Sequence, residues 1–261
     1  MGMFGPIGCG MWSLTPYDKC DFRCLYCCTK VQGTSKPAVA PGEFLPRLRQ
    51  HLDDAPWLDL VIVGAFCDAY PPAEDRHGLT RRALEELARR KRRFVICTKS
   101  TSVLHDLDLL REHRFRCQVY ISICSLDDEM LKQLDPGAPN AEQRLATLWT
   151  LHDAGIDARV NVLPWIPGIT NTPALIARIP AESEIVLGPL AVGIDRDSMS
   201  LLGKRYTREE VNERYMAEYR RYGHIANTSW VRPSPPAPGE NDPMYRLPRL
   251  AAPSAPPSAS P

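Results

Sequence analysis

The sequence predicts an α/β fold built on a parallel sheet, and three observations carry that prediction. Short apolar runs of strand length alternate with amphipathic helical segments along most of the chain. Six such strand–helix units follow in series, which requires crossover connections and therefore parallel strands. The chain has 261 residues and is 44% hydrophobic, enough for one sizeable core. Serial units of this kind form either an incomplete barrel or a doubly wound sheet. In both, chemistry belongs at the carboxyl ends of the strands.

Strands are expected over residues 11–15, 58–65, 93–98, 117–123, 158–163 and 184–188. Helices are expected over 43–54, 80–92, 104–113, 141–154 and 173–178, where apolar positions recur three and four apart. A sixth helix, 207–221, opens on Thr207 with Glu210 three residues later, a capping-box pattern. Ten of the 25 prolines fall after Arg232, mixed with Ala and Ser. Such a segment cannot bury enough apolar surface to fold, so residues 226–261 are expected to be a disordered tail behind one domain of residues 1–225.

A formal net charge of +1 sets up no strong field toward nucleic acid or an anionic membrane. No run of about 18 apolar residues occurs, so no membrane span is expected. Residues 1–12 lack the basic flank and long apolar core of a signal peptide. The expectation is a soluble, cytoplasmic protein.

Nine cysteines stand out: Cys9, Cys20, Cys24, Cys27, Cys28, Cys67, Cys97, Cys117 and Cys124. An odd count without a secretion signal argues against a disulfide framework. Four of them crowd into residues 20–28, which points to metal. Cys20, Cys24 and Cys27 have CxxxCxxC spacing just after the first strand. A cubic 4Fe-4S cluster takes one thiolate per iron, so three ligands leave one iron open for chemistry. A zinc site with Cys28 or Cys9 as fourth ligand is the alternative. Its usual paired CxxC spacing occurs only once here, from Cys24 to Cys27.

With Tyr26 directly before the third cysteine, this loop resembles the signature of the radical SAM superfamily. The resemblance implies a partial (βα)6 TIM-type barrel with Cys20, Cys24 and Cys27 as the cluster ligands. It implies S-adenosylmethionine (SAM) chelated to the open iron through its amino and carboxylate groups. Reductive cleavage of SAM would give methionine and a 5′-deoxyadenosyl radical that takes hydrogen from an organic substrate. A flavodoxin- or ferredoxin-type protein would be the reductant.

Further segments resemble the spore-photoproduct-lyase-like (SPL-like) branch, in the right order over about residues 14–171. They are Gly64 to Glu74 after the second strand and Thr98-Lys99-Ser100 after the third. Ser122 to Cys124 on the fourth, Asp135 to Pro139, and Pro164 to Gly168 after the fifth complete the set. By this likeness Tyr26 packs beside adenine, Lys99 pairs with the SAM carboxylate next to Thr98, and Ser122 bonds SAM. Three features depart from the pattern. Cys28 stands where the family often has Tyr, and Asp18-Lys19 stands where Arg-Gly commonly precedes the first cysteine. The lyase's hydrogen-donor cysteine aligns with Ala65, and Cys67 lies two residues on.

Strand alternation adds candidates. Gln118, Tyr120, Ser122 and Cys124 share one face of the fourth strand, and Arg159 and Asn161 share one face of the fifth. A buried Arg or Asn needs partners, which SAM, substrate or an inter-strand network would supply. Asp68 and Tyr70, in the loop after the second strand, are catalytic candidates, with Cys67 as a hydrogen donor to a product radical. The basic run 89–93 ends a helix, where cations complement the dipole.

Three functions compete. The first is a radical SAM enzyme acting on a small molecule, nucleoside or peptide side chain. The second is an SPL-like lyase repairing damaged pyrimidines in DNA, weakened by the near-neutral charge. The third is a non-catalytic zinc or iron–sulfur protein.

Overall fold

The structure, a computed structural model, describes residues 3–8, 11–27, 29, 31–191, 198–225 and 227–231. Cys9, Cys28 and the proline-rich segment from Arg232 lie outside the described residues.

A hairpin opens the fold: β1 (Phe4–Gly8) runs antiparallel to β2 (Met11–Leu14). Five parallel strands follow, each laid beside its predecessor: β3 (Leu60–Val63), β4 (Arg93–Thr98), β5 (Cys117–Ser122), β6 (Asp157–Trp165) and β7 (Ile185–Pro189). A doubly wound sheet reverses its strand order at a switch point. Here the order from β2 to β7 never reverses, so the fold is the incomplete barrel.

The connections carry α1 (Pro41–Asp54), α2 (Glu74–His77), α3 (Leu79–Arg89) and a 3₁₀ turn (Thr101–Asp106) running into α4 (Leu107–Glu112). They continue with α5 (Asp128–Leu134), α6 (Ala141–Asp153) and α7 (Thr172–Ile176). After β7 come a small hairpin, β8 (Ser198–Leu201) and β9 (Lys204–Thr207), then α8 (Arg208–Tyr222). A last strand, β10 (Thr228–Trp230), adds in parallel to β7. The sheet therefore runs past residue 225, where the sequence placed the end of the domain. Three residues are too few to carry a periodicity signal.

Local chemistry explains the helix ends. Asn140 and Gln143 form a reciprocal capping box on α6. Thr207 accepts from the Glu210 amide at 3.1 Å, one half of the expected capping box, while the Glu210 carboxylate pairs with Lys204 and Arg214. Lys91 turns left-handed at φ 58°, which stops α3 at Arg89, short of the expected residue 92. The basic run is consumed within the fold. Arg89 and Arg90 bind Glu86, Arg90 also binds Asp53, and Arg93 binds Asp59.

The main core lies between strands and helices, where Val61, Val63, Phe94, Ile96, Val119, Ile121, Val160 and Val162 meet α1, α3 and α6. Each such side chain stabilises the fold by about 1.5–3 kcal/mol on burial. The inner face holds a smaller plug of Ile62, Val95, Tyr120 and Val186. Among the described residues no helix is long and apolar enough to cross a membrane.

Candidate active site

Residues 15–40 form the long connection from β2 to α1, and backbone bonds give its cysteine loop a fixed shape. The Cys20 amide donates to Val31 O at 2.9 Å, and the Gly33 amide returns to Cys20 O at 3.1 Å. The Cys27 amide donates to Cys24 O at 3.1 Å, so the second and third cysteines share one turn. Thr29 donates its hydroxyl to Phe66 O at 2.8 Å, which leaves the Cys27 thiol to donate to Thr29 Oγ1 at 3.2 Å. A second core holds the loop down: Phe22, Cys24 and Tyr26 pack with Leu131 and Leu134 of α5, Ile166, and Leu201 and Tyr206 of the β8–β9 hairpin.

Three sequence-predicted residues stand level on neighbouring strands, Lys99 following β4, Ser122 ending β5 and Asn161 midway along the longer β6. Ser122 is the register partner of Asn161, and pairing of Thr98 with Ile121 sets Lys99 level with Ser122. Lys99 Nζ stands 5.6 Å from the centroid of the Tyr26 ring. Burial disfavours the Lys99 charge, but Cys24 and Asp135 outweigh it and hold the ammonium above its ordinary range. Burial pushes the Cys24 thiol up to about 11 against the pull of Lys99. Asn161 Oδ1 is buried without a hydrogen-bond partner among the described residues.

Asp68 and Thr98 serve the backbone. The Asp68 carboxylate accepts from the Thr98 hydroxyl at 2.6 Å, the Tyr70 amide at 2.9 Å and the Lys99 amide at 2.8 Å. It ties the loop after β3 to the loop after β4 and fixes the Lys99 main chain. Burial still raises its pKa, more than these three donors lower it. Gly64 is required beside it: at φ 92°, an added Cβ would lie 2.3 Å from Cys97 O.

Four of the expected site residues have their contacts within the fold. Tyr70 is 2% exposed, and its hydroxyl donates to Asp106 at 2.8 Å, which braces the core. Asp68 has both oxygens engaged as a brace. Cys67 is buried against the cysteine loop, where its thiol donates to Lys19 O at 3.0 Å and meets Cys20. Arg159 lies near the start of β6, at the barrel floor, paired with Asp157 at 2.8 Å and with Glu184. Glu184 also accepts from Ser229. The inter-strand network, not a cofactor, satisfies the Arg159 guanidinium.

Sequence reasoning missed Arg144, which is wholly buried and bound to Asp135 at 2.8 Å. An Arg on an amphipathic helix reads as solvated, and only the nearby Asp135–Pro139 segment hinted at this corner.

The donor set fits an iron–sulfur cube with SAM. Three thiols share one rigid loop, a lysine held cationic lies beside one of them, and an amide oxygen waits unbonded at the same level. A cube presents a separate iron to each of three thiolates.

Comparison with known proteins gives the same answer. Residues 14–175 match the model of the radical SAM superfamily. The chain is 28% identical over 171 residues to the uncharacterised protein MJ0683 of Methanocaldococcus jannaschii, covering 62% of this chain and 63% of that one. It is 27% identical over 174 residues to Rv2578c of Mycobacterium tuberculosis, covering 62% and 51%. The matches thus span less than two thirds of these curated relatives. A cysteine-to-serine mutant of spore photoproduct lyase superposes with a TM-score of 0.61 at 16% identity, over 84% of this chain and 75% of that one. SuiB of Streptococcus suis bound to S-adenosylmethionine gives 0.60 at 15%, over 84% and 49%. This partial TIM-type barrel, with its three-cysteine loop, belongs to the radical SAM superfamily, whose cofactors are a 4Fe-4S cluster and SAM.

Proposed function

We propose that this chain is an SPL-like radical SAM enzyme that abstracts hydrogen from a nucleoside, a peptide side chain or another small organic molecule held at the barrel mouth. The observation that carries the reading is the level row of Lys99, Ser122 and Asn161 beside a three-cysteine loop, above a floor where Arg159 pairs with Glu184. When bound, the cluster and SAM supply a 5′-deoxyadenosyl radical. The remaining work falls to the chain's own residues. Cys20, Cys24 and Cys27 would each hold one iron. Lys99 would neutralise the SAM carboxylate, a charge-assisted contact in a half-buried setting. Tyr26 offers a flat ring for adenine, and Ser122 and Asn161 offer a hydroxyl and an amide to SAM or substrate.

Two structural neighbours support substrates of this size. Spore photoproduct lyase is complexed with dinucleoside spore photoproduct, and SuiB is bound to its precursor peptide SuiA. Repair of a pyrimidine lesion is the second reading, favoured by the likeness to the lyase. A flavodoxin- or ferredoxin-type donor would supply the electron.

The test is anaerobic reconstitution with iron and sulfide, followed by dithionite and SAM. About four irons per chain and 5′-deoxyadenosine are expected, and Cys24→Ala should abolish both. Deuterated nucleosides, dinucleosides and peptides then compete, and label appearing in 5′-deoxyadenosine identifies the substrate class. A chain that binds no cube, or leaves SAM intact, refutes the reading.

A further inference from the structure

We propose that Arg144, paired with Asp135, is a positioning residue that clamps the turn at residues 135–139 onto the cysteine loop and the end of β5, and so sets where Cys24 and Tyr26 stand relative to Lys99.

Both side chains are 0% exposed, and Arg144 Nη1 lies 2.8 Å from Asp135 Oδ2. The same guanidinium donates through Nε to Pro139 O at 2.7 Å and through Nη1 to Ser122 O at 3.1 Å. One side chain therefore joins the turn after α5, the approach to α6 and the last residue of β5. The planar fork of Arg suits two separated carbonyl acceptors beside a carboxylate, whereas a Lys ammonium on its flexible stem does not hold them in one geometry.

From the turn the connection passes to the cysteine loop through main chain. The Leu25 amide donates to Leu134 O at 2.8 Å, and the Gly137 amide donates to Phe22 O at 3.2 Å. The approach is tight enough that a Cβ on Gly137 would lie 2.2 Å from Asp21 O. Loop residues 21–25 are thus fastened to the turn, and Arg144 fastens the turn to the strand that carries Ser122.

The pair is not there for burial alone. Neither oxygen of Asp135 nor Arg144 Nη2 has a hydrogen-bond partner among the described residues, so the two wholly buried side chains meet as an ion pair alone. Desolvating two charges and leaving part of their bonding capacity unused is costly, and apolar residues of similar volume would often fill such a space at least as stably. What an apolar pair cannot do is hold Ser122 O, Pro139 O and Asp135 together.

The consequence for the cofactor rests on reading residues 20–27 as the cluster loop, but the first measurement does not. Hydrogen exchange is followed on the full chain for wild type, Arg144→Met and Arg144→Lys. Arg144→Met should accelerate exchange of the Leu25 and Gly137 amides about tenfold or more, while amides of β3 and β4 keep wild-type protection. After reconstitution its iron content should fall below wild type. Arg144→Lys keeps the charge and should show a smaller acceleration at the same two amides. Wild-type protection of both amides in Arg144→Met overturns the proposal, as does a uniform loss extending through β3 and β4. Should Arg144→Met fail to fold, Arg144→Lys decides: faster exchange confined to the two amides supports the clamp, and unchanged exchange overturns it. A wild-type chain that takes up no cube would sink the cluster reading, while the exchange result would still judge the clamp.

Discussion

Asp68→Asn separates two opposing effects at one carboxylate. Wild-type Asp68 receives the Thr98 hydroxyl and the Tyr70 amide on Oδ1, and the Lys99 amide on Oδ2. Asn has a single oxygen. If that oxygen keeps the Thr98 and Tyr70 bonds, its NH2 group faces the Lys99 N–H, donor against donor. One buried amide left unpaired costs about 1–3 kcal/mol. The two surviving bonds also lose their charge assistance, about another 1 kcal/mol together. Against this, burial raises the Asp68 pKa, so removing the charge returns part of its desolvation cost. The net expectation is a loss of about 2 kcal/mol, or roughly 4–8 °C in melting temperature for a domain of this size. Displacing the Lys99 main chain should weaken SAM binding about tenfold, equivalent to ~1.4 kcal/mol. Thermal unfolding of the apoprotein at pH 7 and anaerobic titration of SAM into the reconstituted protein read the two effects. An unchanged or raised melting temperature would show that desolvation outweighs the three donors, and the brace argument would fail.

Arg159→Leu removes the partner of Asp157 and Glu184 on the barrel floor, where Arg159 is 13% exposed. It should cost about 2 kcal/mol, less than a fully buried pair, and leave SAM cleavage per loaded cluster unchanged. Lost SAM binding at wild-type stability would return Arg159 to the cofactor site. Asn161→Leu should leave the apoprotein as stable as wild type or more so, because its amide oxygen has no partner to lose. SAM or substrate affinity should nonetheless fall, and a variant that melts several degrees lower would show an internal role instead. Glu86 is opposed by its own burial but held down to about 2 by Arg89, Arg90 and Arg49. A carboxylate depressed in the fold stabilises above its unfolded pKa of about 4.3, and that stabilisation is lost as pH falls toward 2. Glu86→Gln should therefore lower stability at pH 7 by about 1–2 kcal/mol and flatten the acid limb between pH 4.5 and 2, as read by denaturant titration across pH. An unaltered acid limb would place the titration elsewhere.

Legibility in the sequence followed the strength of the local signal. β4 was predicted to the residue because its apolar run is bounded by basic residues before it and the Lys99-Ser100 turn after it. β1 contains Gly5 and Pro6, residues that read as a turn, and only pairing with β2 makes it a strand. The β8–β9 hairpin turns through Leu202 and Gly203, both at positive φ. That conformation usually announces itself as Asn-Gly, and Leu in the first position concealed it. Arg159 shows a subtler limit. Alternation assigned it correctly to the inner face shared with Asn161, but two residues along a strand separate them by about 6.6 Å in height. Arg159 pairs in register with Tyr120 toward the floor, and Asn161 with Ser122 toward the mouth. Periodicity reports the face of a strand and not the depth.

Depth divides the roles of Arg159 and Asn161 on β6. On the inner face of β6 the floor residue meets Asp157, Glu184 and Tyr120, so its charge is answered by the fold before any ligand arrives. Two positions later the Asn161 amide oxygen has no such answer. A buried polar atom left open costs free energy in the apoprotein, so its persistence argues for a partner that binds at that height. Lys99 and Ser122 stand at the same level on the two preceding strands, and the cysteine loop lies beside Lys99. The open Asn161 oxygen therefore stands level with Lys99, beside the three thiols that would offer an iron cluster its ligands, while the Arg159 guanidinium is answered below by Asp157 and Glu184.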